Sequence, residues 1–192
     1  MGLYKYLGNL WQDQKDQLKG LIRERLIKWR KEPSVVVMDN PTRLDKARML
    51  GYKAKQGFTI ARIRLGAGGR MRPWVSRGRK PKRFGQHFSA MKNLQAIAEL
   101  RANRKFPNME VLNSYYVAGD SKSKWFEIIL VDRSHPAIIN DKDVSWIANV
   151  RGRAARGLTA AGRRSRGSRR KESKFPAKRS QKDRTRMIKR RG

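Results

Sequence analysis

The chain has 192 residues, and its 48 Lys and Arg outnumber its 15 Asp and Glu to give a net charge of +33. Such a charge repels itself in a compact globule, so a polyanion is the expected partner. There is no cysteine, which excludes a disulfide framework and any thiolate zinc site.

The N-terminal residues 3–31 read as one long amphipathic helix, because Leu7, Leu10, Trp11, Leu18, Leu21, Ile22 and Trp29 recur at helical spacing. Pro33 ends it. Gly20 weakens its middle by about 1 kcal/mol relative to Ala, which leaves room for a break there. The Leu/Trp stripe is read as core packing. Ser34–Met38 is a short apolar run, expected to be a buried strand, and Asp39-Asn40-Pro41 marks a turn. Thr42 is expected to cap a short helix that runs to Met49 and stops at Gly51. Phe58–Leu65 alternates, with Ala61, Ile63 and Leu65 on a packed face and Arg62 and Arg64 on the opposite, presented face.

Residues 66–85 are rich in glycine and carry two prolines and seven basic residues. No periodicity survives, and an extended loop ordered by its ligand is expected. Gln86–Asn103 reads as a second helix. Val111–Val117 and Lys124–Asp132 are β-rich runs joined by a hairpin loop at Gly119. Val144–Val150 fits a last strand or a short helix. Beyond Arg151 few sizeable apolar residues remain, so residues 151–192 are expected to fold only against a partner.

No segment is long and apolar enough to cross a membrane, and no signal peptide is evident. Gly66-Ala67-Gly68-Gly69 fails the dinucleotide fingerprint because Met71 stands at the third glycine position. His87 and His135 lack a metal-site spacing, and Asp141 and Asp143 have no further ligands near them. No catalytic cluster, cofactor site, metal site or small-molecule site is expected.

The charge is segregated. Residues 53–92 carry 12 basic groups and no acidic one, residues 99–150 are balanced at 7 of each, and residues 151–192 carry 18 basic and 2 acidic groups. A surface selected for solubility mixes its signs. The two basic blocks therefore read as arms made for phosphates around a neutral core. Arg predominates in the last block, and its planar fork suits bidentate phosphate contact and stacking. Tyr52, Phe58, Trp74, Phe84 and Phe88 fall in or beside the first basic block and are candidates to stack on unpaired bases, above all Trp74 and Phe84. Trp74 could equally anchor its loop, and Phe58 is read mainly as core. Irregular folded RNA suits such loops better than regular duplex DNA does. A chromatin protein would need a groove-binding motif or a dimer seam, and an RNA-modifying enzyme would need a catalytic cluster. The chain has neither. The candidate RNA-binding residues are Arg43, Lys46, Arg48, Tyr52, Lys53, Lys55, Arg62, Arg64, Arg70, Arg72, Trp74, Arg77, Arg79, Lys80, Lys82 and Arg83. In the last block they are Arg151, Arg153, Arg156, Arg163, Arg164, Arg166, Arg169 and Arg170.

Several blocks resemble one known family. They are Met1-Gly2-x-Tyr4-Lys5-Tyr6, Pro41-Thr42-Arg43-x-Asp45-Lys46-Ala47-Arg48, Leu50-Gly51-Tyr52-Lys53-Ala54-Lys55-Gln56-Gly57 and Arg62-x-Arg64. In the same order follow Gly68-Gly69-Arg70-x-Arg72-Pro73, Val111-Leu112-Asn113-Ser114-Tyr115, Arg156-Gly157-Leu158-Thr159, Ala161-Gly162-Arg163 and Ser165-Arg166-Gly167. The chain so resembles the archaeal and eukaryotic large-subunit ribosomal protein family L-fifteen-e, and its shortness leans toward the archaeal members. The resemblance implies a structural, non-enzymatic component of the cytoplasmic large ribosomal subunit. Its partners would be large-subunit ribosomal RNA and neighbouring ribosomal proteins. It also implies a mixed α/β (α+β) fold: a small, mainly antiparallel sheet with flanking helices, a long basic loop and a C-terminal extension. The expected organisation is a core over residues 1–150, with the loop inserted at about 66–85, and an extension over residues 151–192.

Overall fold

The structure is a computed structural model, and it describes residues 2–13, 15–71, 78, 87–88 and 92–166. In chain order the elements are α1 (Leu3–Asp13), α2 (Lys15–Lys31), β1 (Val35–Met38), α3 (Leu44–Met49), β2 (Phe58–Gly66), β3 (Arg70–Met71) and β4 (His87–Phe88). There follow α4 (Leu94–Lys105), β5 (Met109–Gly119), β6 (Ser123–Asp132), α5 (Pro136–Ile139), a 3-10 turn (Ser145–Ile147) and α6 (Ala160–Ser165). The main sheet has four antiparallel strands in the order β1-β2-β6-β5, and β3 and β4 form a separate pair. The mixed α/β fold with an antiparallel sheet is as expected.

Helices cover both faces of this sheet. On one face Ile60, Tyr115, Trp125, Ile129 and Val131 pack against Leu26 and Trp29 of α2, Ala47 of α3, and Ile138 and Ile147. On the other, Ala61, Ile63, Leu65, Val111, Phe126, Ile128 and Leu130 pack against Ala98 and Ala102 of α4 and against Ala154. Strand β6 is thus buried from Trp125 to Val131 on both sides, which explains its nearly unbroken apolar run. Each fully buried Ile, Leu or Val there contributes roughly 1.5–3 kcal/mol.

Local chemistry sets the ends of the elements. Gly51 stops α3 with φ of +97°, and the Tyr52 amide reaches back to the Ala47 carbonyl at 3.0 Å, the glycine-capped ending that spares a side chain the left-handed conformation. Asn93 caps α4 by accepting from the Ala96 amide at 2.7 Å, and Thr159 caps α6 by accepting from Gly162 at 3.1 Å. His135 caps α5 through Nδ1, which accepts from the Ala137 amide at 3.1 Å.

Several expectations are corrected. The N-terminal segment is helical over residues 3–13 and 15–31, with Gln14 outside the described residues and Gly20 inside the second stretch. The pieces serve different surfaces, since α1 lies on α3 while α2 lies on the sheet, where Trp29 meets Trp125 at 6.1 Å. Leu10 and Leu21 of the supposed core stripe are exposed. Position Arg43, not Thr42, precedes α3, and it makes no side-chain cap bond. The Thr42 amide instead donates to Glu127 at 3.1 Å. Helix α4 starts at Leu94 rather than Gln86, because Asn93 caps it and residues 87–88 pair with residues 70–71. Residues 145–147 form a 3-10 turn, the short-helix alternative.

Part of the C-terminal block lies on the core: within residues 152–166, Ala154, Thr159 and Ala161 are buried. Polar groups hold them where apolar bulk is lacking. Glu110, itself buried, accepts from the amides of Gly152 at 2.9 Å and Arg153 at 2.8 Å. Glu99 accepts from the hydroxyls of Ser114 and Thr159.

Candidate nucleic-acid interface

A cation is available to a phosphate to the extent that the fold has not already paired it. Arg62 is 7% exposed, donates to Glu32 at 2.5 Å and stacks over Trp29 at 4.2 Å. It lies under α2, not on a presented face. Arg64 is partly buried and donates to the Arg30 carbonyl. The expected open face of β2 is therefore a covered one, because α2 lies across it and Glu32 supplies the counter-charge.

The segment between α3 and β2 is also internally engaged. Lys53 Nζ contacts both Asp141 oxygens at 2.8 Å and Asp143 at 2.7 Å. Lys55 Nζ contacts Asp141 at 2.5 Å and the Ala137 carbonyl at 2.8 Å. These hydrogen bonds raise the Lys53 ammonium above its ordinary pKa and hold the Asp141 carboxyl well below the usual carboxylate range. Asp141 and Asp143 thus serve two lysines. Among the described residues no cluster of acids and histidines fits a metal ion.

Arg43 donates to Asp45 at 3.0 Å and lies over Trp11 at 4.7 Å, while Arg48 lies between the rings of Tyr4 and Tyr52 at 5.8 and 5.9 Å. The Tyr52 ring is only 8% exposed and meets Phe58 edge-on at 6.0 Å. It is core and offers no stacking surface, while Phe58 packs beside it as expected. Lys46 is partly exposed on α3 and enters no ion pair among the described residues.

In the C-terminal block Arg153 is turned inward. Its Nη1 donates to the carbonyls of Val111 at 2.7 Å and Leu112 at 2.9 Å, and its guanidinium stacks on Trp146 at 4.6 Å. Arg151, Arg156, Arg163, Arg164 and Arg166 are exposed, the last with one bond to the Gly157 carbonyl at 2.9 Å. Of Arg70 and Phe88 only the backbone is described. Arg72, Trp74, Arg77, Arg79, Lys80, Lys82, Arg83, Phe84, Arg169 and Arg170 lie outside the described residues.

Exposed cations also occur outside the candidates read from the sequence. Arg23, Arg25 and Lys28 lie outward on α2, and Arg101, Arg104 and Lys105 lie outward on α4. The signal for the second group was an i, i+3, i+4 spacing, hidden inside a segment whose net charge is zero.

The family model described as Ribosomal L15 matches residues 2–186. The chain belongs to that family. A similar curated relative is the large ribosomal subunit protein eL15 of Methanocella arvoryzae, 53% identical over 182 residues that cover 91% of this chain and 93% of the relative. The family match spans the core, the glycine-rich segment and most of the C-terminal block, so the charge segregation described above lies within the family's own extent. None of the described helices is long and apolar enough to cross a membrane.

Proposed function

We propose that the chain is a structural constituent of the large ribosomal subunit in the cytoplasm. It binds and stabilises folded ribosomal RNA through basic segments anchored to its α/β core, beside neighbouring ribosomal proteins. The observation that carries this reading is the nearly full-length likeness to a large-subunit ribosomal protein. The charge supports it independently, since residues 53–92 and 151–192 hold 30 basic groups against 2 acidic ones. Lys and Arg neutralise phosphates and release their counterions, which gives affinity without base sequence. The role is architectural: the reading assigns no catalytic residue, cofactor or small substrate.

Sedimentation of a cell lysate through a sucrose gradient tests it. The chain is expected with the large subunit and with whole ribosomes, and is expected to stay there through a moderate salt wash. Recovery at the top of the gradient, or with chromatin, would overturn the reading.

A further inference from the structure

The two helical layers of the molecule differ in charge. The layer holding α1, α2, α3, α5 and the 3-10 turn is mixed. Glu24, Asp39 and Asp143 are exposed there or at its rim, and its lysines at 53 and 55 are already paired. The layer made by α4, α6 and residues 151–159 is different. Residues 92–106 and 150–166 contain one acidic residue, Glu99, and it is 1% exposed. Glu110, on the adjoining strand, is 3% exposed and turned onto the amides of Gly152 and Arg153. The acids of this layer thus point inward to hold it together, and its outward side chains are of one sign.

Lys92, Arg101, Arg104, Lys105, Arg156 and Arg164 are all exposed, and among the described residues none of them is in an ion pair. The two helices meet at one end, where the Asn93 amide donates to the Ser165 hydroxyl at 3.1 Å and Asn93 Nδ2 donates to the Ala161 carbonyl at 3.3 Å. From there α4 carries the patch onward for about 18 Å, the length of a 12-residue helix. The substrate beneath is stiff: α4 is fixed to the sheet by Ala98 and Ala102, both 0% exposed. A rigid, one-signed surface complements a phosphate backbone, since no partner among the described residues must be displaced first.

We infer that the α4–α6 layer is the face of the folded core that seats the phosphate backbone of ribosomal RNA, with Arg101, Arg104 and Lys105 as contacts. This rests on the ribosomal RNA reading above and adds to it a direction: the α2 side of the core faces away from that backbone. Three residues from the electrically neutral segment thereby join the binding surface, while Lys53, Lys55 and Arg62 from the acid-free block are structural.

The test uses the full chain and protein-free large-subunit ribosomal RNA in a filter-binding titration over a range of salt. The triple variant R101A/R104A/K105A is expected to bind at least about tenfold more weakly and to lose roughly 2 to 3 units of the log-affinity against log-salt slope. The triple variant R23A/R25A/K28A on α2 is expected to stay within about threefold of the wild type. Arg104→Glu alone, at an exposed position in the last turn, gives the same direction as the α4 triple and guards against a folding defect. Wild-type slope and affinity in the α4 variants would overturn the inference, as would equal losses from both triples. If the wild-type chain itself failed to bind this RNA, the ribosomal RNA reading would fall as well, so the two failures are distinguishable.

Discussion

The Thr159 hydroxyl donates to the buried carboxylate of Glu99, 60 residues away in the chain. The same hydroxyl accepts from the Gly162 amide, and Ser114 donates to the other Glu99 oxygen while accepting from Gln95 Nε2 at 2.9 Å. One carboxylate so ties α4, β5 and the start of α6 together. Removing it leaves the donor hydrogens of two buried hydroxyls without an acceptor, each costing about 1–3 kcal/mol. Glu99→Ala is expected to lower stability by roughly 3 kcal/mol and to expose the segment after Gly152 to trypsin, with cleavage at Arg156 of the free protein. In the wild type the same bond should resist. Equal cleavage rates in the two proteins would show that Glu99 does not hold this segment.

Glu99 also sets a pH dependence. Burial raises its carboxyl above the ordinary value, against the opposing hydrogen bonds of Ser114 and Thr159 and the charge of Arg153. A raised folded pKa means the folded state holds the proton more tightly than the unfolded chain. The contribution is full below the unfolded value near 4.3 and is lost as pH rises through the folded value. Denaturant titrations of wild type and Glu99→Gln across pH 4 to 8 are expected to show a difference in stability that changes in this sense. A difference independent of pH would contradict it.

Asp141 has the opposite sign. Its lowered pKa comes from the hydrogen bonds of Lys53 and Lys55 and from the Asp143 amide. Its contribution is present above the unfolded carboxylate range near 3.9 and is lost as pH falls through the folded value. Asp141→Asn is expected to lower the thermal midpoint at pH 7 and to converge with the wild type in strong acid. A constant offset at all pH values would argue against the pairing.

Gly162 and Gly157 lie in backbone contact, so that a Cβ on Gly162 would come within 2.6 Å of the Gly157 Cα. Gly162→Ala is expected to destabilise the docked segment by about 1–3 kcal/mol. Gly20→Ala, in a helix with nothing within 4 Å of the added atom, is expected to stabilise by up to about 1 kcal/mol. Thermal melts of both variants check the contrast, and a neutral Gly162→Ala would show that α6 does not pack this closely.

Arg62 separates a structural cation from an RNA contact. Arg62→Met removes the pairing with Glu32 and the stacking on Trp29, and is expected to cost about 2 kcal/mol of stability. Affinity for ribosomal RNA in conditions where the variant is folded is expected to stay unchanged. A tenfold loss of affinity would place Arg62 on the interface.

Much of the framework was legible. The runs read at residues 34–38, 58–65, 111–117 and 124–132 announce strands that the structure has at 35–38, 58–66, 109–119 and 123–132, because their residue types suit pleated, buried positions. Gly51 marks a helix end because its left-handed φ is read directly from residue type. What failed was long-range pairing. Nothing near Lys53 in sequence reveals Asp141, 88 residues on, and nothing near Arg62 reveals that α2 lies over it. The packing of residues 152–166 was hidden for the same reason: it depends on Glu99 and Glu110, two acids whose inward direction a charge count does not show. Net charge by segment located the basic blocks, but it does not show which cations the fold pairs internally, as it pairs Lys53, Lys55 and Arg62.

The most direct test of the account is the salt dependence of the full chain's affinity for protein-free large-subunit ribosomal RNA. Binding that neutralises many phosphates together gives a steep line, with roughly 0.7 to 0.9 units of slope for each phosphate contacted, and a loss of two orders of magnitude or more between about 50 and 200 mM salt is the predicted result. A nearly flat line, or no binding at low salt, would contradict the account.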